Sequence, residues 1–275
     1  MRGRRVNRRS EATLSPLCDV VLILGSARDV TACRAWPRIS FDRIVAINNA
    51  WRVRPDWDVL IHPDDFPEKR HPRVLGAGRR IVRSGDFVRS QNRFGGVVYA
   101  GGTMAFTAGY WVLDALRPRV MAFAGCNMIY DAGSQTHFYG NGTADPLRRD
   151  MTLQDLGAKS ARLMLLAAQR GTLAVNLSPG RSRLVFPQMA HEDLAPGRRP
   201  GLPPVDAARI AAIRSRETAL GYVVESGRYW EQAARFDPAR LAEIDRLWRD
   251  AAEVGRVAAK NAPTHARPPG GCAAD

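Results

Sequence analysis

Nothing in this sequence approaches the roughly 20 consecutive apolar residues of a membrane-spanning helix. The chain starts M-R-G-R-R-V-N-R-R-S, and the apolar stretch after it, residues 18–25, reads as a strand rather than the core of a secretory signal. A cytoplasmic protein is expected. Cysteine is scarce: Cys18, Cys33, Cys126 and Cys272 are scattered, with no C-x-x-C pair and no zinc spacing. Reduced, mostly buried thiols follow. The G-x-G-x-x-G signature is missing. G-S-A-R-D stands at the corresponding turn, which argues against NAD or FAD. No cofactor and no resident metal are expected. The net charge is +14, nearly all of it arginine spread along the chain. No helical pattern interleaves a basic stripe with aromatics, so nucleic acid is not the expected partner. A positive potential suits a nucleotide sugar, and it leaves peripheral contact with an anionic membrane face open.

What is present is enough for a substantial core: 275 residues, 45% hydrophobic and 25% charged. Residues 20–24 (V-V-L-I-L), 43–47, 57–61, 120–124 and 173–176 read as strands, several of them buried on both faces. Short strands are also expected at 81–82 and 97–98. Helices are expected at 29–36, 103–116 and 152–169, the last capped by Thr152 and ended by Gly171. This alternation predicts an α/β fold: a doubly wound, Rossmann-like, mostly parallel sheet with helices on both faces. Residues 1–16 read as a disordered basic arm, 17–190 as the nucleotide-sugar-binding domain and 191–204 as a Pro/Gly linker. Residues 205–260 read as a helical extension and 261–275 as a disordered tail. Leu241, Ile244 and Trp248 share one helical face and are expected to pack on the main domain or on a second copy, so homo-oligomerisation stays open.

The chemistry-bearing residues fall at expected strand ends, where ligands of such sheets lie. Gly25 and Ser26 end the first strand, and a glycine there lets a phosphate or ribose approach. Asn48 and Asn49 end the second. An amide both donates and accepts, so it reads a hydroxyl or a base edge. His62, Asp64 and Asp65 end the third, where the acids either hold a divalent ion against a diphosphate or cap a helix. Gly101, Gly102 and Thr103 open a helix, a favourable place for an anion. Tyr130, His137 and Tyr139 follow the strand at 120–124, and His137 is the expected acid–base group.

The order G-S, I-N-N, G-G-T, A-G-C-N-M-I-Y, H-F-Y and N-L-S-P-G-R-S over residues 20–186 resembles the bacterial sialyltransferases of glycosyltransferase family 42. It also resembles the related domain of unknown function 115 of motility accessory proteins. The resemblance implies a metal-independent, inverting transfer of sialic acid or a related nonulosonate from its CMP ester to a glycan acceptor, in cell-surface polysaccharide biosynthesis. It implies His137 as general base, from the H-F-Y match, with Tyr130 assisting the departing phosphate. It places Gly25, Ser26 and Asn48 on the nucleotide and Gly102-Thr103 on the donor sugar. Asn127 stands where the family carries an aspartate. Two other classes stay open: a magnesium-dependent nucleotide or pterin diphosphate-transfer enzyme using Asp64 and Asp65, and a non-catalytic nucleotide- or carbohydrate-binding protein.

Overall fold

The computed structural model describes residues 18–129, 135–140, 150–194 and 201–261, with side chains described to residue 254. Six strands form one all-parallel sheet: β1 (Cys18–Leu24), β2 (Arg43–Ile47), β3 (Val59–Ile61), β4 (Arg80–Val82), β5 (Pro118–Ala124) and β6 (Leu173–Asn176). Their order is β4-β3-β2-β1-β5-β6. The chain winds outward from β1 to β4, then crosses back to β5 and winds the other way. The switch point therefore lies between β1 and β5, where ligands of open α/β sheets bind.

Burial on both faces explains the apolar runs. Along β1, Val21 and Ile23 enter one core layer while Leu22 and Leu24 enter the other, and all four are fully buried. The first layer is covered by α1 (Ser84–Arg93), α2 (Val97–Ala100), α3 (Met104–Ala115) and α4 (Leu156–Gln169), followed by α5 (Ala207–Leu220) and α6 (Pro238–Asn261). Short 3-10 segments, including Arg28–Ala35 and Asn48–Arg52, cover the second layer. The expected helix at 29–36 is one of these. Among the described residues no helix is long and apolar enough to cross a membrane.

The expected strand at 97–98 is instead the helix α2, set between Gly96 and Gly101, both at positive φ. Two adjacent valines favour a strand only while neighbours can pair with them. Here the turns on either side fold the segment onto α1, α3 and α4. Thr152 does not cap α4. Asp155 does, accepting from Ala158 N at 2.9 Å. The C-terminal helical region is two helices, because Gly221 in the left-handed conformation ends α5. On α6, Leu241, Ile244 and Trp248 are buried against the same core as α4.

Candidate functional site

Register sets the carboxyl edge of the sheet. Ile47 lies level with Ile61, and Ile61 with Val82, so Asn48, His62 and Arg83 leave the sheet side by side. Leu24 lies level with Ala124, so Gly25 and Gly125 emerge together. Ser178 follows β6 at the same height and accepts from Gly125 N through its hydroxyl at 2.8 Å.

Gly25 is fixed by packing. A Cβ there would lie 2.2 Å from the Gly125 carbonyl oxygen and 2.7 Å from Cys126 Sγ. The space expected to admit a ligand is filled by the neighbouring strand end. Gly125 has φ +67°, and its Cβ would sit 2.5 Å from Val30 Cβ. Gly125→Ala combines strain with overpacking and is expected to cost about 2–4 kcal/mol, read as a lower urea midpoint. An unchanged midpoint would show that the β1–β5 junction yields freely.

His137 is held over that junction. Phe138 N donates to the Ser26 carbonyl at 3.0 Å, and His137 and Gly140 exchange backbone bonds at 3.1 Å. The residues from 137 to 140 thus form a tight turn docked on the end of β1. The His137 ring is buried, stacks on Tyr139 with centroids 5.0 Å apart, and pairs through Nδ1 with Thr136 Oγ at 2.7 Å. Burial holds its pKa below the ordinary 6.5, so the imidazole is neutral at pH 7. Ser26, His137 and Tyr139 therefore lie together at the end of β1. Tyr130 lies outside the described residues.

No family model, curated protein or solved structure matches this chain.

Asn127 joins the site through its side-chain amide, which donates to Asp29 Oδ1 at 3.1 Å, and through its backbone carbonyl, which accepts from Arg183 N at 2.9 Å. Asn48 sits at φ 49°, a left-handed conformation that asparagine tolerates better than most residues. Asn48 Oδ1, Asn49 Oδ1, His62 Nε2 and Asn127 Oδ1 are all buried without a hydrogen-bond partner. Orphaned buried acceptors cost about 1–3 kcal/mol each, so four at one sheet edge mark a place where donors arrive.

The Gly101-Gly102-Thr103 turn caps α3 as expected: Thr103 Oγ1 accepts from Phe106 N at 3.3 Å. Its surroundings were not legible in the sequence. Gly102 N donates to Thr152 Oγ1 at 3.1 Å, and that hydroxyl donates to Asp150 Oδ1 at 2.7 Å. Tyr229 OH donates to the other Asp150 oxygen. A Cβ on Gly102 would meet Thr152 Oγ1 at 2.5 Å. The turn is thus lined by protein groups, with a carboxylate close by. Thr152 looked like a helix cap and Tyr229 lies more than a hundred residues away, so only the fold joins them.

Asp64 and Asp65 are exposed, and Asp64 Oδ1 accepts from Ser84 N at 3.4 Å. Among the described residues, no three or more His, Cys, Asp or Glu side chains converge as metal ligands would. Cys33 and Cys126 are buried, and burial pushes the Cys33 thiol up to about 11, so it stays protonated.

Proposed function

We propose that this chain is a glycosyltransferase that moves a sialic-acid-like nonulosonate from a CMP-type donor to a glycan hydroxyl, with inversion and with His137 as general base. The observation that carries the proposal is His137 itself: a buried, neutral imidazole tied by its own turn to the end of β1 at the topological switch point. The acceptor oxygen attacks the anomeric carbon while the imidazole takes the hydroxyl proton. The bond to the nucleotide phosphate breaks, and the phosphate leaves with the electron pair. A base that burial keeps neutral suits that step. Tyr139, on the same turn, is placed to donate to the phosphate, and Tyr130 remains assigned by resemblance alone. The acceptor partner is a glycan, and the cytoplasmic side of the membrane is the proposed place of work.

A non-catalytic binding role is the second reading, favoured by the orphaned acceptors at the sheet edge, which need a ligand but no reaction. The diphosphate-transfer reading has weaker support, because Asp64 and Asp65 face solvent and no third ligand joins them among the described residues.

A melting-temperature screen with CMP, UDP, GDP and ATP, each with and without magnesium, tests the choice. CMP is expected to raise the melting temperature without magnesium, since a ligand at about 100 times its Kd stabilises by about 2.7 kcal/mol. Stabilisation by diphosphates alone, and only with magnesium, would overturn the proposal. Stabilisation by CMP without hydrolysis or transfer of a CMP-sugar would leave the binding role.

A further inference from the structure

The sheet edge carries two kinds of unmet hydrogen-bonding need, on opposite sides of the switch point. On the β2–β3 side the need is for donors. His62 is 1% exposed, and its Nδ1 is 2.8 Å from the Pro63 carbonyl oxygen. A carbonyl only accepts, so Nδ1 carries the hydrogen. Burial also lowers the His62 pKa, which keeps the ring neutral. Nε2 is therefore a bare lone pair, buried and unpartnered. Phe66 and His71 wall the ring, with centroids 5.2 and 4.6 Å away. Asn48 and Asn49, at the end of the adjacent strand, add two more unpartnered acceptor oxygens. A neutral group bearing hydroxyl or amino hydrogens satisfies such a set. A phosphate, which only accepts, does not.

On the β1–β5–β6 side Asn127 Oδ1 is one more orphaned acceptor, and three exposed arginines offer donors to an anion. Arg28 precedes Asp29, whose carboxylate accepts from the Asn127 side-chain amide, and Arg183 N donates to the Asn127 backbone carbonyl. Asn127 thus ties together the backbone segments that carry the two arginines. Arg181 lies on the same loop as Arg183. Gln188 fixes that loop, donating to the Ser178 and Gly180 carbonyls at 2.9 and 3.1 Å. All three arginines are exposed, and among the described residues none of their guanidinium groups has a carboxylate partner. A loop fastened this firmly while presenting unpaired guanidinium groups is suited to bidentate recognition of an oxyanion.

We propose that the edge binds a nucleotide in one direction, with His62 taking a hydrogen from the nucleoside and Arg28, Arg181 and Arg183 taking the phosphate. This rests on the nucleotide reading above and assigns residues that reading does not use.

Calorimetric titration of cytidine, CMP and free N-acetylneuraminate tests it. In Arg28→Gln/Arg181→Gln/Arg183→Gln, CMP is expected to weaken about tenfold to a hundredfold, as for loss of a charge-assisted hydrogen bond, while cytidine binds as before. The salt dependence of CMP binding should fall with it. His62→Asn keeps a donor for Pro63 and removes the Nε2 acceptor. It is expected to weaken cytidine and CMP by the same factor without lowering the melting temperature of the free protein.

Unchanged CMP affinity in the arginine variant would overturn the phosphate assignment. So would a loss confined to N-acetylneuraminate, which would give the arginines to a sugar carboxylate. Unchanged cytidine affinity in His62→Asn, or a large drop in its melting temperature, would make His62 a structural residue. If the wild-type protein binds neither cytidine nor CMP, the nucleotide reading fails first and this assignment with it.

Discussion

Replacing His137 by alanine is expected to slow glycosyl transfer about 100- to 10,000-fold, the usual loss for a general base. Nucleotide affinity should survive, because the docking bond of this turn is made by the backbone: Phe138 N to the Ser26 carbonyl. The pH dependence separates a base from a mere contact. Burial places the folded-state pKa of His137 below 6.5, so kcat/KM should be flat above neutrality and fall on an acid limb lying below 6.5. The same shift affects stability. The unfolded chain binds the proton first as pH falls, so the neutral ring's stability contribution is complete above 6.5 and is lost as pH drops from there through the folded pKa. His62 behaves alike, its pKa also being lowered by burial. The His137→Ala protein should therefore show a shallower loss of melting temperature in that window, with His62 contributing to the slope that remains. Donor turnover at the wild-type rate would make His137 structural and leave the reaction without its base. Failure of the variant to bind nucleotide would equally remove the mechanistic assignment.

The large features of the fold were legible because they follow from local rules. The run V-V-L-I-L, stopped by Gly25-Ser26, reads as a strand buried on both faces, and β1 is that strand. The Gly-Gly-Thr turn could be read as a helix start, since a threonine cap needs only its own next turn. Local reasoning failed where distant segments meet. Gly25 read as a ligand approach because a strand-end glycine has that meaning in isolation. Its close neighbour is Gly125, a hundred residues on. Thr152 had the chemistry of an N-cap and the position of one. Asp155, three residues later, took the role, and Thr152 turned inward to Gly102. The valines at 97 and 98 have strand propensity, yet the glycines around them set a helix. His62 shows the same limit from the other side. The sequence placed it beside Asp64 and Asp65 at one strand end, where the two acids read as metal ligands or a helix cap. In the fold the histidine is buried and the aspartates are exposed, so the three do not act together.

Replacing Glu217 by alanine is expected to be the most damaging single change for stability, at about 3–5 kcal/mol, because it strands a buried charge. Arg162 on α4 is 1% exposed, and its Nε and one Nη donate to the two Glu217 carboxylate oxygens at 2.7 and 2.8 Å. Its other Nη donates to Tyr110 OH at 2.7 Å. Trp248 Nε1 on α6 donates to the same carboxylate at 2.8 Å, and Arg214 reaches it at 3.0 Å. Glu217 therefore joins α4, α5 and α6 through one carboxylate, and Arg162 carries the network on to Tyr110 of α3. Burial alone would raise its pKa, but Arg162 beside it wins and holds it below the ordinary value. The ion pair contributes at neutral pH and is lost only as pH falls through the depressed pKa, below 4.5. A carboxylate-to-alanine change removes that contribution at every pH and leaves the Arg162 charge without its partner in the core. Removing both charges is the informative control. Arg162→Met/Glu217→Leu should recover part of the loss, because apolar replacement of a buried pair is often neutral, while Trp248 Nε1, Tyr110 OH and Arg214 stay without their partners. The measurement is urea unfolding of the three proteins. A single-variant loss below about 1 kcal/mol, the range of an exposed pair, would mean that water reaches Arg162 and that the network does not hold the C-terminal helices. The consequence reaches the site as well. Tyr229, between α5 and α6, is bonded to Asp150 and through it to the Gly102 turn. Loosening the helices at Glu217 should therefore weaken ligand binding at the sheet edge before the protein unfolds.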